Sequence, residues 1–368
     1  MNKKWLIWVL CILVFILPSF NTSAQQRPPI EVFLRHNKDA NHVLVYFTDS
    51  QTGLSAIGTV NNYPDTGRIL EDFSLSPQGV LFRDPINGAP RLMTTNGDIF
   101  GFTFIPQNTI PPVSYDWVVS ENGRTLAWAE FLFQDGVWQS SIYIADLDGG
   151  NIRPIINPPN PIASARAKLI AVSNNGERLF LDIAHPIEPR SANDDFVEYT
   201  TLRVYLASRQ QYLPIAEDVN CPCPVHVVED GHTLLQLERP IIGNGYDLRI
   251  WNLDVNTYQV IPAADTIYQQ GGSLHLSPNR TLAAFSITRL ESQSNAIASG
   301  IVVADILQTS QRIISAPSDR LFNIVRFYNN DRDLILADLA NGETFKVNLE
   351  TETYEQIADK IWLGTLPQ

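Results

Sequence analysis

Cysteine is scarce in this chain of 368 residues, with three in all: Cys11, Cys221 and Cys223. Three thiols cannot staple a small multi-bridge domain, and no Cys-x-x-Cys or Cys/His set completes a metal site. Basic residues are also few, 26 against 39 acids, for a formal net charge of −13. A chain of that sign repels phosphate backbones, which argues against nucleic acid as a partner, and the acidity itself serves solubility. Apart from one run near the start there is no long apolar stretch, and no capped segment with a helical apolar period, so helical bundles and membrane spans are not expected beyond it. Gly-x-Ser-x-Gly, His-Glu-x-x-His, the phosphate loop and the dinucleotide fingerprint are all absent, so no enzyme class announced by those motifs is indicated and no cofactor is expected.

The single apolar run spans the thirteen residues from Trp5 to Leu17, after Lys3 and Lys4 and before Pro18 and the small residues Thr22, Ser23 and Ala24. It falls short of the roughly 20 residues that cross a bilayer and reads as a secretory signal peptide over 1–24, cut after Ala24. Cys11 lies inside the run and cannot become a lipid-bearing first residue. Loss of Lys3 and Lys4 takes the net charge from −13 to −15. The expectation is a secreted or periplasmic protein, unanchored and monomeric. With 44% hydrophobic and 10% aromatic residues, 25–368 has material for a large core rather than for disorder.

One phrase recurs through that region. Ser120-Glu-Asn-Gly123 before "RTLAWAE" is matched by Ser173-Asn-Asn-Gly176 before "ERLFLDIA", by Glu229-Asp-Gly231 before "HTLLQLE" and by Ser76-Pro-Gln-Gly79 before "VLFRD". Worn copies stand at Ser277-Pro-Asn-Arg280 and from Tyr328 to Asp333. Each is an apolar strand, a polar turn and a second apolar strand, the signature of a hairpin. Phe82, Leu126, Leu179, Leu234, Leu282 and Leu334 align just after the turn. A second hairpin follows the first, and "NLDVNTYQVI" at 252–261 repeats almost letter for letter as "NLETETYEQI" at 348–357. The unit is therefore four short antiparallel strands, a to d. An all-β chain of such units is a β-propeller.

"SENGRTLAW" together with "IYIADLDGG" resembles the TolB-type, WD-like propeller repeat, over about 70–358. The resemblance implies the propeller fold and leaves function open, because such folds host binding proteins and several enzyme classes. Six units carry the turn phrase, and 25 to about 68 supplies one further period with the strand-like runs "HVLVYFTDS" and "LSAIGTV". Seven blades are expected within a single domain over 25–368. Six is the alternative if the N-terminal strands only complete the last blade; "IWLG" at 361–364 is a candidate for the closure.

Four features are candidates for chemistry. "DLDGGN" at 146–151 has the look of a calcium loop but sits where every other unit has a plain c–d turn, so no metal is assigned. Cys221 and Cys223 flank Pro222 and could form a local disulfide, remain inert thiols, or serve redox or metal chemistry. Alignment of the a strands puts Ser74, Val118, Ala171, His226, His275 and Arg326 at one position, between apolar neighbours. Strand alternation turns that position away from the inter-blade core and toward the central channel, where His226, His275 and Arg326 would bind an anion or carboxylate, or act as general acid and base, unless each His is a hydrogen-bonded wedge. Binding would then weaken as pH rises through about 6.5. Last, the b–c connections from 131, 185, 239 and 289 and the d–a crossings from 106 and 156 look long and share one side of the ring, the usual seat of recognition. The favoured function is a non-catalytic propeller that binds a protein, peptide or glycan through this long-loop face. The alternative is an extracellular glycoside hydrolase or polysaccharide lyase.

Overall fold

The recurrent turn forms because its serine hydroxyl makes two bonds at once. Ser120 Oγ donates to Asn122 Oδ1 (2.7 Å) and accepts the Thr125 N–H (2.9 Å), closing the loop from within. Ser173 makes the same pair with Asn175 (2.8 Å) and the Arg178 N–H (2.9 Å), and Ser277 with Asn279 (2.9 Å) and the Leu282 N–H (3.0 Å). The glycine is needed where the chain turns left-handed, at φ +69° for Gly123, and a Cβ there would sit 2.6 Å from Ser76 Cα of the preceding unit. Arg280 holds the corresponding place at φ +60° in the worn copy.

The computed structural model describes residues 28–64, 69–106, 113–134, 137–155, 165–186, 196–199, 201–213, 223–228, 230–239, 245–264, 268, 270–290, 297–317 and 320–368. The chain opens with β1 (Ile30–Asn37), β2 (His42–Asp49) and β3 (Ser55–Asn61), then a short helix α1 (Ile69–Asp72). Blade 2 is β4 (Phe73–Ser76), β5 (Gly79–Arg83), β6 (Pro90–Thr94) and β7 (Ile99–Gly101). Blade 3 is β8 (Val113–Val119), β9 (Thr125–Gln134), β10 (Val137–Asp146) and β11 (Arg153–Ile155). Blade 4 is β12 (Ala165–Val172), β13 (Arg178–Pro186), β14 (Leu202–Leu206) and β15 (Gln211–Leu213). Blade 5 is β16 (Val225–Val227), β17 (Thr233–Glu238), β18 (Asp247–Asn252) and β19 (Thr257–Ile261). Blade 6 is β20 (Gln270–Leu276), β21 (Leu282–Leu290), β22 (Ile297–Asp305) and β23 (Ser310–Ser315). Blade 7 is β24 (Phe322–Tyr328), β25 (Asp333–Asp338), β26 (Glu343–Asn348) and β27 (Tyr354–Ala358), and the chain ends in β28 (Ile361–Thr365).

These strands make seven antiparallel four-stranded sheets, a seven-bladed propeller. Blade 1 has the order β28-β1-β2-β3, so the C-terminal strand supplies the innermost strand of the N-terminal blade. "IWLG" therefore closes the ring, and the six-blade alternative falls. Pairing one chain end to the other removes a free sheet edge from the inner ring.

The core lies between blades rather than within them. Separate clusters join blades 2 and 3 through Leu81, Trp117 and Trp128, blades 3 and 4 through Phe131, Ile144 and Leu179, and blades 4 and 5 through Phe180, Leu234 and Trp251. The residue that pairs with the inner strand just after each turn is Val80, Leu126, Leu179, Leu234, Ala283 or Leu334, all fully buried. This corrects the sequence alignment at two units. Phe82 pairs with Phe73 deeper in blade 2, and Leu282 precedes the equivalent Ala283. Fully burying a Leu in such a place is worth about 1.5–3 kcal/mol.

The turns are also stitched edge to edge. The Asn122 N–H donates to Asn174 Oδ1 (2.9 Å), Arg178 Nη1 donates to Gly231 O (2.9 Å), and Arg280 Nη2 meets Asp230 Oδ2 at 2.5 Å. Each of these contacts crosses to a neighbouring blade. The turn phrase recurs because it shapes its own hairpin and holds the next one.

Candidate functional site

Alternation along the innermost strands leaves one side chain per blade facing the axis, and the seven strands enclose a central cavity of about 760 Å³. Ser74, Ala171, His226, His275 and Arg326 all line it, as the alignment anticipated. Val118 does not; it packs into the cluster between blades 3 and 4, and Val119, Ser120 and Glu121 line the cavity instead. The flanking apolar residues serve both sides, since Leu75, Val227 and Leu276 pack on the inter-blade clusters and also reach the cavity wall.

Three inner strands are irregular immediately before the channel position. Register shifts fall between Leu169 and Ala171, Gly272 and His275, and Ile324 and Arg326. A bulge bends a strand and re-aims the next side chain. In blades 6 and 7 the bulges are tied together, because Ser273 Oγ accepts the Ile324 N–H (2.7 Å) and donates to Ile324 O (3.2 Å).

The two imidazoles meet, with ring centroids 5.0 Å apart and planes at 41°. Burial, then repulsion from His275, pushes His226 down to about 3. Burial pushes His275 down to about 4, against a hydrogen bond with the Ile324 backbone that favours its charged form. Both rings are therefore uncharged near neutral pH. The expected titration near 6.5 is displaced to more acid values, because the channel wall strips water from both rings. His275 is in part the hydrogen-bonded wedge that the sequence allowed. No described residue hydrogen-bonds the His226 ring, whose contact is with His275.

Arg326 supplies a permanent charge on the same wall. Its Nε donates to Phe327 O (3.2 Å) and its guanidinium carbon stands 5.5 Å from the Trp362 ring centroid, while no carboxylate among the described residues pairs with it. Arg280, by contrast, is bound to Asp230. The one carboxylate among the described lining residues is Glu121. The described lining of this acidic protein thus holds two arginines and one glutamate as its charged side chains.

The cavity contains the inner-strand ends that lead into the a–b turns, with Ser120, Ser277 and Pro278 at its rim. It belongs to the short-turn half of the ring, whereas the sequence pointed to the long-loop half. Much of that second half, including 107–112, 156–164, 187–195, 240–244 and 291–296, lies outside the described residues. Where the structure does describe it, the connection from 131 is no loop, since β9 and β10 pair without interruption as far as Gln134 and Val137. Tyr199, past the connection from 185, lines the cavity, and its backbone exchanges hydrogen bonds with Cys223 (3.0 and 3.2 Å). Sequence reading missed Tyr199, because its place depends on a bridge between two irregular segments.

Cys223 is disulfide-bonded and buried; Cys221 lies outside the described residues. "DLDGGN" folds as the β10–β11 turn, where Asp148 Oδ1 accepts the Gly150 N–H (2.9 Å) and Asp146 Oδ2 accepts from Asn151 Nδ2 (2.6 Å). Those carboxylates are occupied by their own turn, and no cluster of three or more metal-ligating side chains occurs among the described residues. No described helix is long and apolar enough to cross a membrane.

No family model matches the chain, and no curated protein matches it. Solved structures do. A prolyl endopeptidase superposes with a TM-score of 0.58 at 11% identity over 90% of this chain, which spans 48% of that longer protein. An oligogalacturonate lyase in complex with manganese superposes with a TM-score of 0.55 at 10% identity, covering 87% of this chain and 92% of that one. TolB from Acinetobacter baumannii covers 94% of this chain and 83% of its own at 12% identity, with a TM-score of 0.42, too loose to support any argument. At these identities the likeness is one of fold.

Proposed function

We propose that the protein is a non-catalytic propeller acting in the periplasm or outside the cell, after loss of 1–24, and that it binds a protein, peptide or glycan in the short-turn half of its channel. The TolB-type repeat resemblance of the turn phrase belongs to this reading. The observation that carries it is the lining of the 760 Å³ cavity, where Arg326 has no acid partner and the His226 ring no hydrogen-bond partner among the described residues. The volume falls within the roughly 300–1,000 Å³ of pockets that bury a small ligand, and the Arg326 guanidinium, exposed on the cavity wall, is free to take an anionic group from one. The long-loop face remains a second docking surface to test.

A glycoside hydrolase needs two carboxylates flanking the bond it cuts, and the described lining offers Glu121 alone. A polysaccharide lyase has a better case as the second reading. Its chemistry asks for an uncharged base that takes the proton next to a carboxylate, and for a cation that holds that carboxylate; His226 and Arg326 are of those types.

The test is a screen of residues 25–368 against envelope glycans and co-exported proteins, run beside the channel-filled variant Ala171→Trp. A ligand retained by the native protein and lost by the folded variant supports the channel as the site. Equal retention by both rejects it. Release of an unsaturated uronate product, followed by ultraviolet absorbance, would replace the binding reading with the lyase.

A further inference from the structure

The channel wall joins two kinds of surface that seldom occur together. Each of the seven innermost strands contributes apolar surface, with Leu75, Val119, Ile170, Val227, Leu276, Val325 and Leu363 half-buried between the inter-blade core and the cavity. Into this aliphatic ring project one unpaired guanidinium, that of Arg326, and one imidazole without a hydrogen-bond partner, that of His226.

A glycan is a poor occupant. Sugars present hydroxyls all round and need many polar partners, and of the Phe and Tyr rings in the described lining Phe73 and Phe327 are buried at 2% and 3% exposure, which leaves only the half-buried Tyr199 to stack on one. A peptide C-terminus has the matching form: a carboxylate, one apolar side chain, and a backbone that continues out through the mouth. The apolar side chain gains by leaving water, about 1.5–3 kcal/mol for a full-sized aliphatic. A guanidinium takes a carboxylate through two parallel hydrogen bonds, stronger than a bond between neutral groups.

Resting on the reading of the channel as the site, the geometry points to capture of a peptide C-terminus with an aliphatic last residue, its carboxylate on Arg326 and its side chain against the ring of aliphatics. Entry is from the a–b turn face, past Ser120, Glu121, Pro278 and Arg280. Arg280 is bound to Asp230, so the charge that draws the carboxylate is that of Arg326.

The groups that titrate around the ligand are His226 on β16, His275 on β20 and Glu121 after β8, beside the fixed charges of Arg326 and Arg280. A carboxylate set against the His pair favours their charged forms, so binding takes up protons and tightens as pH falls from about 7 toward the range in which the free rings titrate. The weakening with rising pH expected from the sequence keeps its direction, with the free rings titrating below 6.5.

The experiment is calorimetric titration of residues 25–368 with N-acetylated tripeptides ending in Leu or Val as the free acid, with the same peptides as C-terminal amides, and with trigalacturonate. The free acids are expected to bind at least tenfold tighter than the amides, and Arg326→Gln to remove that difference while leaving the thermal transition in place. Arg326→Lys should restore part of the preference, which a purely structural role for Arg326 would not produce. Binding of trigalacturonate without the peptides overturns the peptide assignment and leaves the channel as the site. Equal binding of acid and amide overturns the role of Arg326. Peptide binding that persists unchanged in Ala171→Trp rejects the channel itself.

Discussion

Blades 2 to 4 and blades 5 to 7 carry the same position on their innermost strands and fill it with different chemistry. The first arc has Ser74, Val118 and Ala171 there, and the second has His226, His275 and Arg326. Beneath them the scaffold is alike, because the paired strand buries Val80, Leu126 and Leu179 completely in one arc and Leu234, Ala283 and Leu334 completely in the other. Apart from Glu121, which lines the cavity, the first arc holds a paired charge cluster away from it. Asp116 lies 3.1 Å from both Arg83 and Lys168 and accepts the Leu169 N–H at 2.8 Å, while Arg83 also reaches Asp72 at 2.9 Å. On the second arc Arg326 remains without an acid. Inter-blade packing thus constrains the neighbours of this position, and in the first arc Val118 and Ala171 themselves, while in the second arc His226, His275 and Arg326 face the cavity.

Six variants would break or sharpen that contrast. The largest effect belongs to the paired charges of the first arc. Burial opposes ionisation of Asp116, yet Lys168, Arg83 and the Leu169 N–H hold its carboxyl down at about 2. Asp116→Asn leaves Lys168 without its carboxylate and Arg83 with Asp72 alone, and should cost about 3–5 kcal/mol by urea denaturation, with ligand binding by the folded fraction unchanged. Leu179→Ala and Leu234→Ala should each cost about 2–5 kcal/mol; a large difference between them would mean that the arcs do not share one scaffold.

The arcs should also respond to acid over different ranges. His226 and His275 titrate in the unfolded chain near 6.5 but in the folded one at about 3 and about 4. Between those values the unfolded state binds more protons, so their contribution is fully present above about 6.5 and is lost as pH falls through about 4 for His275 and about 3 for His226. For Asp116 the folded value lies below the unfolded 3.8, so its contribution is present above about 4 and is lost as pH falls toward 2. The double variant His226→Gln/His275→Gln should flatten the pH dependence of the melting temperature between 6.5 and 4, where Asp116 contributes little, and leave the Asp116 loss below that. Identical curves for variant and native protein would show that the rings are not desolvated.

Two smaller effects concern binding. Arg326→Gln should weaken the free-acid peptide at least tenfold, about 1.4 kcal/mol, and shift stability much less. Ser74→Ala, at the equivalent place on the neutral arc, should stay within about 0.5 kcal/mol in stability and leave binding as it was. A loss at Ser74 as large as that at Arg326 would erase the distinction between the arcs.

Much of the propeller was legible because its turn chemistry is local: Ser120, Ser173 and Ser277 each close their own hairpin with an Asn two residues on. β1 was not recognised as a strand of blade 1, since its inner partner β28 comes from the other end of the chain and no turn phrase joins them. The alignment slipped at Phe82 because the Ser76–Gly79 turn is two residues shorter than the others, and at Leu282 because Arg280 stands where the other turns have their glycine, although that turn has the usual length. At the site, alternation alone brought His226, His275 and Arg326 to the channel. Sequence could not reveal the 5.0 Å approach of the two rings, the bulges that precede His275 and Arg326, or the Trp362 ring beside Arg326, because each depends on contact between blades.

The central claim is that ligand enters the channel at the second arc, and the histidine ring signals in a nuclear magnetic resonance titration test it most directly. The chain has six histidines, among them His42 and His232, which lie outside the cavity lining. Titration with a free-acid tripeptide should shift the ring signals of His226 and His275 in proportion to occupancy and leave those of His42 and His232 where they are. Saturation of binding with the His226 and His275 rings unmoved would contradict the account.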